Sequence, residues 1–244
     1  MKNLTVTLVQ PDIVWENPQE NLRKYSEMLA DVDKTDLIVL PEMFSTGFSM
    51  HPEKLNENMD GSSVQWMKKL ASEKETAVAG SLIIEEAGKV FNRLLWVFSD
   101  GVTKIYDKRH LFTMGEENQH YSAGTEKLVV DYKGWRFCPL ICYDLRFPVW
   151  SRNIDNYDML IYVANWPAQR HEVWKTLLQA RAIENQAYCV GVNRVGKDGP
   201  GLDYYGDSCL VDAKGNARFF GGSEQVTSFE ISLDELQKFR KKFP

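Results

Sequence analysis

Apolar and polar residues follow two different periods along the first third of the chain. Residues 4–10 alternate strictly, which predicts a strand, and residues 17–30 have the capping residues and spacing of an amphipathic helix. A short, wholly apolar run at 37–40 is typical of a strand that is covered on both faces. A helix at 63–74 and a strand at 77–84 repeat this order. The pattern therefore predicts successive β-α-β units.

The rest of the chain adds antiparallel strands to a second unit of this kind. Residues 90–106 predict a hairpin around an Asp100-Gly101 turn, with an adjoining strand. Further predicted elements are strands at 127–131, 135–141, 158–167, 188–194, 208–212, 217–220 and 225–231, and helices at 171–185 and from about 233. The stripe of helix 171–185 expected to face the core is Val173, Leu177, Ala180 and Ile183. This order predicts an α/β fold in which two sheets pack face to face with helices outside both.

Composition and charge narrow the class of protein. The 244 residues are 43% hydrophobic and 26% charged, which predicts one globular domain over residues 1–244. A net charge of −5, with both signs mixed along the chain, argues against a nucleic-acid partner and favours a small molecule. No apolar run reaches the roughly 18 residues of a membrane span, and the N-terminal residues do not resemble a signal peptide. We therefore expect a cytoplasmic protein without a membrane partner.

The four cysteines are not spaced as pairs. Cys138, Cys142, Cys189 and Cys209 lie at the ends or in the middle of apolar strands, which suits a reducing compartment. We therefore expect neither a disulfide framework nor a metal site.

Cys142 lies where the predicted strand 135–141 gives way to a helix-like pattern, so we predict a strand-to-helix elbow there. A thiol at such an elbow is exposed and faces the unpaired N–H groups of a helix start. That setting favours the thiolate and offers donors to an oxyanion. Taken alone, the same stretch fits a buried structural cysteine, which is the commoner role. Partners elsewhere in the chain must decide between the two.

Two further strand ends carry charged residues. Glu42 follows the apolar run 37–40, at the edge of an α/β sheet where ligand-binding groups collect, although a solvated loop glutamate is the simplest alternative. Lys108 follows the hairpin, where an ordinary surface lysine is the usual finding. A long polar loop at 113–124 comes next and carries Glu116, Glu117 and His120.

The combination of these side chains is more informative than any one of them. A thiol that attacks a carboxamide needs a base for its proton, a donor for the oxyanion and an acid for the leaving ammonia. A glutamate, a lysine and a cysteine cover these roles. No histidine is well placed to act as the base, although His110 and His120 could contact the site from their loops.

Three motifs resemble those of the nitrilase superfamily of carbon–nitrogen hydrolases, in the same order. They are Leu40-Pro41-Glu42, Asp107-Lys108-Arg109-His110-Leu111-Phe112, and Ile141-Cys142-Tyr143-Asp144-Leu145-Arg146-Phe147-Pro148. The resemblance extends from end to end and is greatest to the omega-amidase branch. The motifs that indicate this branch are the third motif above, Asn165-Trp166-Pro167, the stretch 179–186 and Tyr204-x-Gly206-Asp207-Ser208.

The resemblance implies a role for each matching residue. Glu42 would be the general base, Cys142 the nucleophile that forms a thioester, and Lys108 with the backbone N–H of Tyr143 the oxyanion donors. A second glutamate that supports the lysine is common in the family, and Glu117 fits its spacing better than the adjacent Glu116. The implied fold is a four-layer α-β-β-α sandwich that pairs into a homodimer or higher homo-oligomer through helices beside the elbow. No metal or organic cofactor is implied.

The substrate implied by the omega-amidase branch is the terminal amide of a short 2-oxo acid, such as 2-oxoglutaramate or 2-oxosuccinamate. Such a substrate carries a carboxylate, for which Arg146 could supply the cation, unless Arg146 forms an ion pair with Asp144. The expected apolar walls are Trp166, Phe44 and Phe112, with core packing as the alternative role for each.

Two other functions remain open at this point. The same catalytic groups would serve a hydrolase of N-carbamoyl amino acids or of nitriles. A catalytically inactive member of the fold, acting as a binding or scaffold protein, is the alternative from a different class.

Overall fold

Two six-stranded sheets contain most of the strands in the computed structural model, which describes residues 3–243. The described strands are β1 Asn3–Gln10, β2 Leu37–Val39, β3 Ala77–Glu86, β4 Lys89–Val97, β5 Thr103–Asp107, β6 Val130–Tyr132, β7 Trp135–Ile141, β8 Met159–Val163, β9 Tyr188–Val192, β10 Val195–Lys197, β11 Asp203–Tyr205, β12 Cys209–Val211, β13 Ala217–Phe219 and β14 Gln225–Ser232. The first sheet has the order β14-β1-β2-β3-β4-β5 and the second β13-β12-β9-β8-β7-β6, while β10 and β11 form a separate hairpin.

The two sheets have the same plan. Each has three parallel strands, β1-β2-β3 and β7-β8-β9, and antiparallel strands on both sides of them. Strands β2 and β8 are buried along their whole length, as their wholly apolar sequences predict. The last strand of the chain, β14, pairs with the first, β1, over the full length of both strands.

Helices cover the outer face of each sheet. The described helices are α1 Pro18–Met28, α2 Pro52–Leu55, α3 Ser62–Glu73, α4 Glu117–His120, α5 Pro148–Ser151, α6 His171–Asn185 and α7 Leu233–Lys242, with 3₁₀ turns at Thr113–Gly115, Cys142–Arg146 and Ala168–Arg170. Helices α1 and α3 pack on the first sheet in one apolar cluster, and α6 packs on the second. The predicted four-layer α-β-β-α sandwich is confirmed.

The inner faces of both sheets share one core. Leu4, Val6 and Leu8 alternate along β1 and belong to the same apolar cluster as residues of β7 and β8, whereas Val9 faces the helices. Trp96 of the first sheet and Phe137 of the second pack with ring centroids 5.0 Å apart. An aromatic pair of this kind contributes about 0.5–1.5 kcal/mol beyond its buried area. The interlocked inner faces hold the carboxyl ends of the parallel strands in a fixed relation.

The predicted core stripe of α6 is only partly correct, because Val173 and Leu177 pack against the core but are not fully buried. The buried residues of this helix are Trp174, Leu178, Arg181, Ala182 and Asn185, whereas Ile183 is 51% exposed. The helix has apolar residues on two faces, so periodicity alone does not choose between them. The chosen face buries the large Trp174 and lets Arg181 donate to Leu145 O at 2.7 Å.

Other predictions differ from the structure mainly at element ends. The predicted strand at 127–131 is β6 at Val130–Tyr132, and the extended segment predicted to 167 leaves the sheet after Val163. The helix predicted after Cys142 is only a 3₁₀ turn followed by the four residues of α5. The β10–β11 hairpin and the short helices α2 and α4 were not predicted. Within residues 3–243, no helix has the length and apolar character needed to span a membrane.

Candidate active site

Three strand ends bring charged and nucleophilic side chains together. Lys108 directly follows β5, Cys142 directly follows β7, and Glu42 lies three residues beyond β2. The Lys108 ammonium donates to Glu42 Oε1 at 2.7 Å and to both oxygens of Glu117 at 3.0 and 2.9 Å. Glu42, Lys108 and Glu117 are all completely buried. The alternatives of a solvated glutamate at 42 and a surface lysine at 108 are therefore wrong.

The backbone on both sides of Lys108 fixes the position of its side chain. Its N–H donates to Asn92 O at 3.0 Å and its carbonyl accepts from the Gly124 N–H at 2.9 Å. A Cβ at position 124 would lie 2.2 Å from Asp107 O, so only glycine permits this close approach. Burial disfavours the charged form of Lys108, but the charges of Glu117 and Glu42 outweigh it and hold the pKa of Lys108 above its ordinary value.

Glu42 has one acceptor site left over. Its Oε1 accepts from Lys108 and from Asn92 Nδ2 at 2.8 Å, and its Oε2 accepts from the Asn165 N–H at 2.8 Å. A carboxylate offers about four acceptor positions. The remaining position is available to the thiol of Cys142, whose Sγ lies 4.0 Å from Asn165 O.

Glu117, by contrast, has every acceptor position filled. Its Oε1 accepts from Lys108 and Asn92, and its Oε2 accepts from Lys108 and from the Phe112 N–H at 2.6 Å. Glu116 precedes it in a left-handed conformation with φ +59° and is exposed. This local turn aims Glu117 inward and Glu116 outward, so the structure places Glu117 beside Lys108.

Cys142 is half-buried and has φ +43°, a backbone conformation that residues other than glycine rarely adopt. Holding it there costs on the order of 1–3 kcal/mol. Burial raises the pKa of the Cys142 thiol well above its ordinary value, and the charge of Glu42 adds to this while Lys108 opposes it. The expectation that the elbow favours the thiolate is therefore wrong, because the short 3₁₀ turn does not outweigh burial and a carboxylate.

Asp144 holds the elbow in place. Its Oδ2 accepts from the Ile141 N–H at 3.0 Å and from the Tyr106 hydroxyl at 2.8 Å. Its Oδ1 accepts from the His110 N–H at 3.0 Å and lies 2.8 Å from His110 Nδ1. His110 thus ties the strand end that carries Lys108 to the elbow that carries Cys142. Asp144 does not pair with Arg146, so the structural ion pair considered for Arg146 is not formed.

A pocket of about 320 Å³ opens onto Glu42, Lys108 and Cys142. Its other lining residues are Phe48, Met50, Phe112, Met114, Gly115, Tyr143, Arg146, Asn165, Trp166, Pro167, Arg170, Asp198, Pro200, Leu202 and Tyr204. The Arg146 guanidinium lies 5.4 Å from the Trp166 ring centre, and that of Arg170 lies 5.3 Å from the Phe112 ring centre. The volume suits a small molecule.

The prediction that Phe44 lines this pocket is wrong. Phe44 is completely buried on the helix side of the first sheet, where its ring packs 5.6 Å from Tyr25 and 5.8 Å from Trp66. The Phe44 N–H donates to Ser81 O, which turns the side chain away from the strand end. Trp166, Phe112, Tyr143 and Arg146 do line the pocket.

Several site residues were missed from the sequence. Asn92 lies inside β4, Arg170 precedes α6, and the β10–β11 hairpin supplies Asp198 and Tyr204, whose hydroxyl donates to Asp198 at 2.8 Å. The available signal for Asn92 was a polar residue within a mostly apolar strand, although the adjacent Arg93 is polar as well. Among the described residues, no group of three or more His, Cys, Asp or Glu side chains is placed to hold a metal ion.

Comparison with known proteins defines the class. A family model described as carbon-nitrogen hydrolase matches residues 5–241, and the chain belongs to that family. It is 46% identical over 246 residues to omega-amidase YafV from Yersinia enterocolitica, across 100% of this chain and 96% of that protein. It is also 34% identical to 2-oxoglutaramate amidase from Bacillus subtilis, across 98% of this chain and 95% of that protein.

Solved structures agree with this assignment. The crystal structure of XC1258 from Xanthomonas campestris, a CN-hydrolase superfamily protein with an arsenic adduct in its active site, is 43% identical and superposes with a TM-score of 0.97. The match covers 100% of this chain and 96% of that one. The resemblance to the carbon–nitrogen hydrolases, and within them to omega-amidases, is confirmed, and the chain is a carbon–nitrogen hydrolase enzyme.

Proposed function

We propose that this enzyme hydrolyses the terminal amide of short 2-oxo acid amides, such as 2-oxoglutaramate and 2-oxosuccinamate, to the dicarboxylate and ammonia. Support comes from the two named relatives, which are an omega-amidase and a 2-oxoglutaramate amidase. The observation that carries the proposal is the buried 2.7 Å contact of Lys108 with Glu42 beside Cys142. Cys142 is also the one cysteine among the described residues that is not fully buried.

In the proposed acylation step, Glu42 takes the thiol proton as Cys142 Sγ attacks the amide carbon. The oxyanion that forms is held by the Lys108 ammonium and the Tyr143 N–H. The carbon–nitrogen bond then breaks, and Glu42 returns its proton to the leaving nitrogen, which departs as ammonia. The acyl group remains on sulfur as a thioester.

Deacylation uses the same groups, with water in place of the thiol as the nucleophile and sulfur as the leaving group. Glu42 takes a proton from a water molecule whose oxygen attacks the thioester carbon, and the same donors hold the second oxyanion. The carbon–sulfur bond breaks, the carboxylic acid leaves, and Glu42 returns the proton to sulfur. No step consumes a cofactor.

The acceptor positions support different roles for the two glutamates. Glu42 has a free position next to the thiol, so it can bind a proton without losing a hydrogen bond. Glu117 would have to give up a donor to do so, and its role in the proposal is to keep Lys108 charged and in place. The hydrogen bonds support both roles, and neither needs a change in the backbone.

Arg146 is the proposed partner of the substrate's carboxylate. Its guanidinium lies over Trp166 at the pocket and forms no ion pair with any carboxylate of residues 3–243. A buried carboxylate needs a cation, and the planar guanidinium offers two parallel donors. Trp166 and Phe112 would form the apolar walls beside the short carbon chain.

The first experiment is to measure ammonia release from 2-oxoglutaramate by the purified enzyme. Glutamine, asparagine, an N-carbamoyl amino acid and a simple nitrile are assayed beside it, with Cys142→Ala as the blank. Fast, Cys142-dependent hydrolysis of the 2-oxo amide is expected. Preference for the N-carbamoyl compound or the nitrile would reassign the substrate, and no release from any of them would favour an inactive binding role.

We also propose that the enzyme acts in the cytoplasm as a homodimer or higher homo-oligomer. Apolar side chains beside the elbow are unusually exposed, namely Val149 at 88%, Ile154 at 75% and Ile183 at 51%. Arg152 donates to Glu184 O, so the segment after α5 lies against the end of α6 and these side chains share one region. Light scattering on the wild type and on Val149→Asp tests this, and a monomeric wild type would contradict it.

A further inference from the structure

Asn92 is a completely buried polar residue in the middle of β4. Arg93 follows it directly, and Leu94, Leu95 and Trp96, further along the strand, belong to the core. Its Nδ2 donates to Glu42 Oε1 at 2.8 Å and to Glu117 Oε1 at 3.0 Å. Both N–H bonds of one amide are therefore used on two different carboxylates. An amide group is seldom buried unless such bonds satisfy it.

The orientation of this amide is fixed by a second pair of hydrogen bonds. The Ser81 hydroxyl accepts from the Met43 N–H at 2.8 Å, so its own hydrogen is free to donate to Asn92 Oδ1, 2.9 Å away. Because Ser81 donates to the oxygen of the amide, the nitrogen must face the glutamates. Met43 directly follows Glu42, so the hydrogen bonds that run from Met43 through Ser81 and Asn92 return to Glu42 at the same strand end.

The buried group around Lys108 has one negative charge in excess, which only hydrogen-bond donors can stabilise. Two buried carboxylates flank one ammonium, and like charges this close favour uptake of a proton by one of them. The other titratable groups that face the pair are Cys142 and Tyr121, while Arg146, Arg170, Asp198 and Tyr204 line the pocket that opens onto it. Within residues 3–243, Asn92 is the only side chain besides Lys108 that donates to both glutamates.

We propose that Asn92 is a positioning residue that keeps Glu117 ionised beside Glu42 and leaves the free acceptor position of Glu42 toward the thiol. It acts through the glutamates and does not touch the substrate. Burial raises the pKa of Glu117, whereas the charge of Lys108 and the hydrogen bond from Asn92 act against that rise. The inference rests on the proposed use of Glu42 as the base.

The test replaces Asn92 by leucine, which has a similar size and no donor. Without the two donors, the carboxylate pair holds a proton to higher pH, and the acid limb of the kcat/KM profile should move up by about one pH unit. At the plateau, kcat should fall about ten- to a hundredfold while KM changes little, because Glu42 is less well placed. The matched control is Asn185→Leu, another buried asparagine with hydrogen bonds to Asn153 and Arg181, far along α6.

A second readout needs no substrate. Iodoacetamide labels Cys142 selectively because the other three cysteines are buried. The labelling rate falls at acidic pH, because a carboxylate pair that already holds a proton cannot accept the proton of the thiol. A shift of this limb in Asn92→Leu, absent in Asn185→Leu, supports the inference even if the substrate proposal fails. An unshifted limb, or an equal shift in the control, overturns it.

A milder variant covers the case in which Asn92→Leu does not fold. Ser81→Ala removes the hydroxyl that orients the amide but leaves both glutamates and Asn92 in place. It should shift the same acid limb in the same direction by a smaller amount. If Asn92→Leu is unfolded, an unshifted limb in Ser81→Ala overturns the proposal.

Discussion

The two sheets contribute to the active site in opposite ways. The first sheet supplies Glu42, Lys108 and Asn92, which are completely buried and joined by side-chain hydrogen bonds of 2.7 and 2.8 Å. The second sheet supplies Cys142 on a half-buried turn with positive φ, next to an open pocket. The base and the groups that hold it are thus fixed by hydrogen bonds, and the nucleophile is held under backbone strain beside the pocket. The following predictions test this difference.

The largest effect is expected on the side of the second sheet. Cys142→Ala removes one sulfur atom from a half-buried turn at the margin of the shared core, so turnover should fall by about 10⁴-fold or more with only a small change in melting temperature. Ammonia release and thermal unfolding measure the two properties. Retained activity would remove Cys142 from the mechanism.

On the side of the first sheet, the two glutamates should respond differently. Glu42→Gln removes the base and should lower kcat by about 10²- to 10⁴-fold while substrate still binds. Glu117→Gln places an NH₂ group against two donors whichever way the amide turns, whereas the NH₂ group of Glu42→Gln can face the Asn165 N–H alone. Glu117→Gln should therefore lower the melting temperature more than Glu42→Gln does. Steady-state kinetics and thermal unfolding of both variants measure this. If Glu117→Gln were as stable as the wild type and less active than Glu42→Gln, the two roles would have to be exchanged.

A smaller effect is expected at the pocket wall. Arg146→Leu should lower kcat/KM for 2-oxoglutaramate about ten- to a hundredfold, mainly through KM, because a hydrogen bond to a charged group is lost. Phe44→Ala is the contrasting variant: it should lower the free energy of unfolding by about 3–5 kcal/mol and leave KM unchanged. An unchanged KM in Arg146→Leu would mean that another cation, such as Arg170, holds the carboxylate.

The last prediction needs no substitution and concerns how the reactivity of the Cys142 thiol changes with pH. Since burial and then the charge of Glu42 raise the pKa of Cys142, the thiolate is scarce at neutral pH and increases as the pH rises. Alkylation of Cys142 by iodoacetamide should therefore accelerate by up to about tenfold per pH unit between about pH 7 and 9. A rate that is already constant in this range would mean that Lys108 stabilises the thiolate in the free enzyme.

The sequence was sufficient to predict the catalytic residues at the strand ends, but not the conformation of the loops that complete the site. Glu42, Lys108 and Cys142 each follow an apolar run, so the topology of parallel strands alone brings them together. The sequence also left Glu116 and Glu117 unresolved, since the left-handed turn at Glu116 that separates them is a property of the folded loop.

The misses have a common physical origin in the choice between faces. Helix α6 offers apolar residues on two sides, and Phe44 could have turned toward the pocket or toward Tyr25. Which face is buried depends on the neighbouring elements and not on the local pattern. The inward position of Asn92, the wall formed by the β10–β11 hairpin and the place of Arg170 depend in the same way on contacts between distant segments.

The pairing of β14 with β1 governs how the chain must fold during synthesis. Ser232 lies opposite Asn3 and Gln225 opposite Gln10, so the first sheet closes only through contacts between residues more than two hundred positions apart. Arg240 of α7 then donates to Tyr157 O, Asp158 and Gln186 O next to the second sheet. On the ribosome, one edge of β1 therefore stays unpaired until β14 has been synthesised and has emerged. Such long-range closure slows folding and leaves a nascent edge that can aggregate.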